Sequence, residues 1–84
     1  MIVRTVRYTT EAVKALKRHA NVARRIRDKI RQYADDPAGQ ANNVAALRDS
    51  PYKRLRIGDF RVILDERDDE IVVIKIGPRG SVYE

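Results

Sequence analysis

The sequence has no cysteine and no tryptophan, and it holds a single histidine, His19. Without thiols there can be no disulfide framework and no thiolate metal site. One imidazole is too few for a structural zinc site, so neither metal nor cofactor is expected. Proline and glycine are also scarce, at three and four residues, and no Gly/Ser linker, repeat or low-complexity tract divides the chain. No apolar run approaches the ~20 residues that cross a bilayer. The opening Met1-Ile2-Val3-Arg4-Thr5 lacks the apolar core of a signal peptide. The expectation is a soluble cytoplasmic protein with no membrane association.

What remains is a short, strongly charged chain: 84 residues, 43% hydrophobic and 36% charged. That length suits one compact domain spanning 1–84, and the apolar fraction is that of an ordinary globular protein. The net charge is +6, and thirteen of the eighteen cations are arginine. Arginine suits bidentate recognition of phosphate better than lysine does. Nucleic acid is therefore the leading partner class, ahead of an anionic membrane or an acidic protein. The charge is uneven: residues 1–34 carry +8, 35–50 carry −2, 51–64 carry +3 and 65–84 carry −3.

Ile2-Val3-Arg4-Thr5-Val6-Arg7-Tyr8 is β-branched and partly alternating, which predicts a first strand. Thr9-Thr10-Glu11 offers a hydroxyl N-cap and an acid in the first helical turn, and Val13, Leu16 and Ala20 follow at helical spacing. Past Asn21 a second helix is expected, with Val22, Ile26, Ile30 and Tyr33 on one stripe, stopping before Asp36-Pro37. Arg24, Arg25, Arg27, Lys29 and Arg31 surround that stripe as a solvated face, able to steer the protein toward nucleic acid or to receive an acidic partner segment. His19 reads as a helix-surface residue. Residues 35–51 form a long connection anchored by Val44 and Leu47. Three strands follow: Tyr52 to Ile57, Phe60 to Asp65 across a Gly58-Asp59 turn, and Ile71 to Ile76 after Asp68-Asp69, broken by Gly77-Pro78. The result is an α+β domain: an N-terminal strand, a helical hairpin, then an antiparallel β-meander, with the helices on one sheet face.

The Gly58-Asp59 turn fixes a register in which Ile57 faces Phe60, Arg56 faces Arg61, Leu55 faces Val62, Arg54 faces Ile63 and Lys53 faces Leu64. One face then carries Leu55, Ile57, Phe60, Val62 and Leu64, a core face; the other carries Tyr52, Arg54, Arg56, Arg61, Ile63 and Asp65. Arg56 and Arg61 stand directly opposite, a like-charge pair costing ~0.2–1 kcal/mol. The plain alternative is a wet basic face relieved by Asp65, with Arg61 paired to Asp65 or Asp59.

The segment Tyr52-Lys53-Arg54-Leu55-Arg56-Ile57-Gly58-Asp59-Phe60-Arg61-Val62, then Ile71-Val72-Val73-Ile74, then Ile76-Gly77-Pro78-Arg79 with Val82-Tyr83, resembles the RelE family of bacterial toxins, within the RelE/ParE superfamily. The resemblance implies the toxin of a type II toxin–antitoxin system, restrained by a cognate protein antitoxin. It implies a ribosome-dependent endoribonuclease that cleaves messenger RNA without metal, the message's own 2′-hydroxyl attacking the adjacent phosphate. Carried over by position, Arg54 and Arg61 would bind and neutralise the phosphate. Arg79 would stabilise the transition state or protonate the leaving oxygen, and Tyr83 would serve as base or stacking residue. Arg56 and Lys53 would be further RNA and phosphate contacts. Two departures stand out: Pro78 replaces the family's usual histidine, and arginine replaces lysine in the hairpin strand, while Lys53 points toward the core face. Arginine is a poor proton carrier, and Tyr83, with a free pKa of ~10, would need perturbation to act as a base. The alternatives are a ParE-like toxin that binds DNA gyrase without nuclease activity, and a non-toxic binding module or co-repressor of the same fold.

Overall fold

Thr9 caps the first helix as its hydroxyl position predicts: its side chain accepts from the Ala12 amide at 3.1 Å and donates to the Ile74 carbonyl at 2.9 Å. One threonine thus satisfies an orphan helix donor and ties the helix to the sheet. The computed structural model describes residues 4–81. The strand β1 (Thr5–Tyr8) leads into α1 (Thr10–Arg18) and α2 (Ala20–Asp35). A 3₁₀ helix (Ala38–Asn43) and a short β2 (Val44–Ala46) follow, then β3 (Lys53–Ile57), β4 (Phe60–Glu66) and β5 (Glu70–Pro78).

The strands form one sheet in the order β1-β5-β4-β3-β2. β1 runs parallel to β5, and all other pairs are antiparallel. The hairpin register is that expected from the turn, with Arg56 opposite Arg61 and Lys53 opposite Leu64. Ile26, Ile30 and Tyr33 of α2 and Ala12, Ala15 and Leu16 of α1 pack against Leu55, Ile57, Val62, Leu64, Ile71, Val73 and Ile76. Both helices therefore cover one sheet face, while on the other Ile63 is nonetheless buried.

Several expectations are corrected. The first strand is described from Thr5; Ile2 and Val3 lie outside the described residues. Ala20 and Asn21 belong to α2, not to the end of α1. Residues 35–51 are not a plain connection, because β2 pairs with β3 and adds an edge strand. β5 does not break at Gly77-Pro78: Arg61 pairs with Gly77 and Phe60 with Pro78. Pro78 is tolerated because it is the strand's last residue, where its missing N–H interrupts no inner ladder. A register slip between Ile63 and Leu64 leaves Ile74 as the extra residue on β5, a β-bulge. His19 is not a helix-surface residue. It sits half-buried at the α1–α2 junction, edge-on to Phe60 with ring centroids 4.9 Å apart.

Under the helices, Glu66 organises a polar network at the end of β4. Tyr33 donates its hydroxyl to Glu66 Oε1 at 2.6 Å, and Lys53 donates its ammonium to the same oxygen at 2.7 Å. Arg4 donates to Oε2. Burial by itself would raise the Glu66 carboxyl, but the bonds from Lys53, Tyr33 and Arg4 hold it down at about 2. Burial, then the bond to Glu66, raises the Tyr33 phenol, so it remains a donor.

Candidate phosphate site

The site begins with a turn. Gly58 has φ +56°, and a positive φ at the first central residue alone is the pattern of a type II′ hairpin turn. That turn sets β3 and β4 in register, and strand alternation then sends Arg54 and Arg56 from one strand and Arg61 from the other to the outer face. β5 continues past its bulge far enough to bring Arg79 to the same place. The Arg79 amide donates to the Asp59 carbonyl at 2.7 Å, pinning the end of β5 to the hairpin tip. The Ser81 amide and hydroxyl then both donate to the Pro78 carbonyl, at 3.1 and 2.8 Å, turning the chain.

Arg54, Arg56, Arg61 and Arg79 line one depression of about 280 Å³ on the outer face. Among the described residues its lining contains no acid. Gly77, opposite Arg61, contributes no side chain there. Arg61 is held by its own turn, donating to the carbonyls of Gly58 and Phe60 at 3.0 Å each. Arg56 donates to the Asn43 side-chain oxygen at 3.3 Å. These are neutral acceptors, and neither guanidinium forms an ion pair with a described residue. Asp65 does not relieve them; it binds Arg67, at 3.0 Å. Nor does Arg61 pair with Asp59 or Asp65 among the described residues.

Lys53 is not part of this group. It faces the helices, as the register requires, and is tied to Glu66. Tyr83 lies outside the described residues. Asn43 was not visible as a site residue in the sequence: it sits in an Ala/Asn-rich connection, and only the pairing of β2 with β3 brings it to Arg56. Among the described residues, no group of three or more His, Cys, Asp or Glu could hold a metal ion.

Four guanidiniums lining one depression can receive a polyoxygen anion. They can bind a phosphodiester through paired N–H donors and stabilise added charge on phosphorus. They cannot take a proton, because a guanidinium is already protonated and has no acceptor. The depression therefore supplies binding and charge stabilisation, and any proton transfer must come from a group other than these four.

Comparisons with known proteins agree with this architecture. The family model described as "ParE toxin of type II toxin-antitoxin system, parDE" matches residues 6–83. The RelE–RelB complex from the archaeon Pyrococcus horikoshii contains a chain 26% identical, with a TM-score of 0.74 and coverage of 96% of this chain and 100% of that one. The toxin–antitoxin complex RelBE2 from Mycobacterium tuberculosis contains one at 20% identity, TM-score 0.73, covering 93% and 100%. The DinJ–YafQ toxin–antitoxin complex from E. coli contains another at 13% identity, TM-score 0.77, covering 99% and 100%, a likeness of fold. No curated protein matches. With a family model spanning nearly the whole chain and the RelE-like sheet and helical hairpin in place, the chain belongs to the ParE toxin family of type II toxin–antitoxin systems, within the RelE/ParE superfamily.

Proposed function

We propose that this toxin is a RelE-type endoribonuclease that acts on messenger RNA in the ribosome. The observation that carries the reading is the convergence of Arg54, Arg56, Arg61 and Arg79 on one depression. In the reaction, the 2′-oxygen of the message forms a bond to the adjacent phosphorus and the bond to the 5′-oxygen breaks, leaving a 2′,3′-cyclic phosphate. Arg54 and Arg61 bind the phosphate. Arg79 neutralises charge on the phosphorane and the departing 5′-oxygen, which takes its proton from water. Tyr83, which lies outside the described residues, would take the 2′-hydroxyl proton, as the family resemblance implies. Arg56 holds the strand from the β3 side, and Lys53 supports the hairpin through Glu66 instead of contacting RNA. A cognate antitoxin restrains the toxin, as the complexes formed by its relatives suggest; an acidic segment laid across the arginine face would serve.

A second reading is favoured by the ParE description of the matching family and by the lack of a proton carrier among the four arginines. In it, the basic face binds DNA gyrase and no RNA is cut. Induction of the toxin without antitoxin separates the two. The ribonuclease reading expects translation to stop at once and new 5′ ends to appear inside ribosome-bound messages, with Arg61→Ala and Arg79→Ala relieving both. Continued translation with a DNA-damage response would establish the gyrase reading instead. Undisturbed growth would point to a non-toxic binding module.

A further inference from the structure

The cationic surface does not stop at the outer face. A second depression, of about 320 Å³, opens where α2 and the 3₁₀ helix meet the far end of β3. Arg25 and Lys29, one turn apart on α2, form one wall, and Arg56 stands in the other. Arg56 also lines the outer-face depression, so the two adjoin at that side chain.

The second depression is built, not merely basic. Asn43 accepts from Arg56 at 3.3 Å and donates to Gln40 at 3.2 Å, which orients the guanidinium. Arg25 lies directly against the hairpin turn: a Cβ at Gly58 would fall 2.1 Å from its Nη2. The turn glycine therefore serves two ends, the positive φ and the close approach of Arg25. Among the described residues no acid lines the depression, and Arg25, Lys29 and Arg56 form no ion pair. Three like charges held together without a counter-charge are a place for an anion.

We infer that this depression is a second phosphate subsite, taking the neighbouring phosphate of the same RNA strand whose scissile phosphate lies on the outer face. A nucleic acid strand carries its charges at short, regular intervals, so two receptors joined by one guanidinium fit it better than they fit isolated carboxylates. The inference rests on the RNA-binding reading proposed above. It gives Arg25 and Lys29 a role in gripping the strand, with no part in the bond-breaking step.

The test is equilibrium binding of the full chain to 2′-O-methyl oligoadenylates of two and of six nucleotides, which cannot be cleaved. The hexamer should bind about tenfold tighter than the dimer, because it reaches both subsites. In Arg25→Ala/Lys29→Ala that gain should vanish, with dimer binding retained and the hexamer's salt slope reduced by about 0.7. Lys29→Glu, far from the turn, guards against a folding defect and should lose the gain as well. If folded variants keep the hexamer's advantage, the subsite is overturned and the outer-face reading stands. If they lose affinity only for the antitoxin, the depression belongs to that partner and the inference is equally overturned. Should the wild type bind neither oligonucleotide, the RNA reading itself fails, and the subsite with it.

Discussion

Arg61 concentrates the argument at the scale of single residues. Its guanidinium is fixed by two turn carbonyls and forms no ion pair with a described residue, so it is preorganised for an anion. Arg61→Lys keeps the charge but loses the planar fork. It should weaken RNA binding by about tenfold at moderate salt, against roughly a hundredfold for Arg61→Ala, measured by anisotropy with a labelled message fragment. Glu66 is the structural counterpart. Its pKa is lower in the folded chain than in the unfolded, so its contribution is complete above the unfolded value of 4.5 and drains away as pH falls toward about 2. Glu66→Gln should cost on the order of 2 kcal/mol at pH 7 by urea denaturation, a gap that closes on acidification through that window. The raised Tyr33 phenol acts at the other end: its contribution is lost as pH climbs above 10.

Among the elements, the hairpin of β3 and β4 was the most legible. Alternation with period two, bracketing Gly58-Asp59, leaves only one register that buries Leu55, Ile57, Val62 and Leu64 together. β5 was less so. Its run from Ile71 to Ile76 is apolar on both faces, so nothing local marks Ile74 as the bulged residue or shows the strand persisting through Gly77-Pro78. That persistence is what carries Arg79 to the site. β2 was invisible because three residues, Val44–Ala46, become a strand only by pairing with β3. Thr9 joins the α and β elements through two hydrogen bonds. Thr9→Ala should lower stability by about 1–2 kcal/mol, and Thr9→Ser should restore most of it in thermal melts. Gly58→Ala should cost about 1 kcal/mol from its positive φ alone. Arg25→Ala should not rescue that loss, since the arginine tip can move aside while the backbone cannot.

At the scale of the whole molecule, the two helices occupy one side of the sheet and leave the other for charge. The hairpin register alone reveals the outward arginines of β3 and β4. The meeting of Arg79 with them depends on contacts between chain segments far apart in sequence, and so does the placement of Lys53 with Glu66 and Tyr33. A surface of this kind should bind RNA with strong salt dependence, affinity falling steeply between low and physiological ionic strength. The most direct measurement is single-turnover cleavage of a defined message on purified ribosomes by the wild type, Arg61→Ala, Arg79→Ala and the double variant. Each single variant should cut about a hundredfold more slowly. The double variant should be little worse than the slower single one, because the two arginines serve the same phosphorane. Cleavage by the variants at the wild-type rate, or an intact message with the wild type itself, would contradict the account.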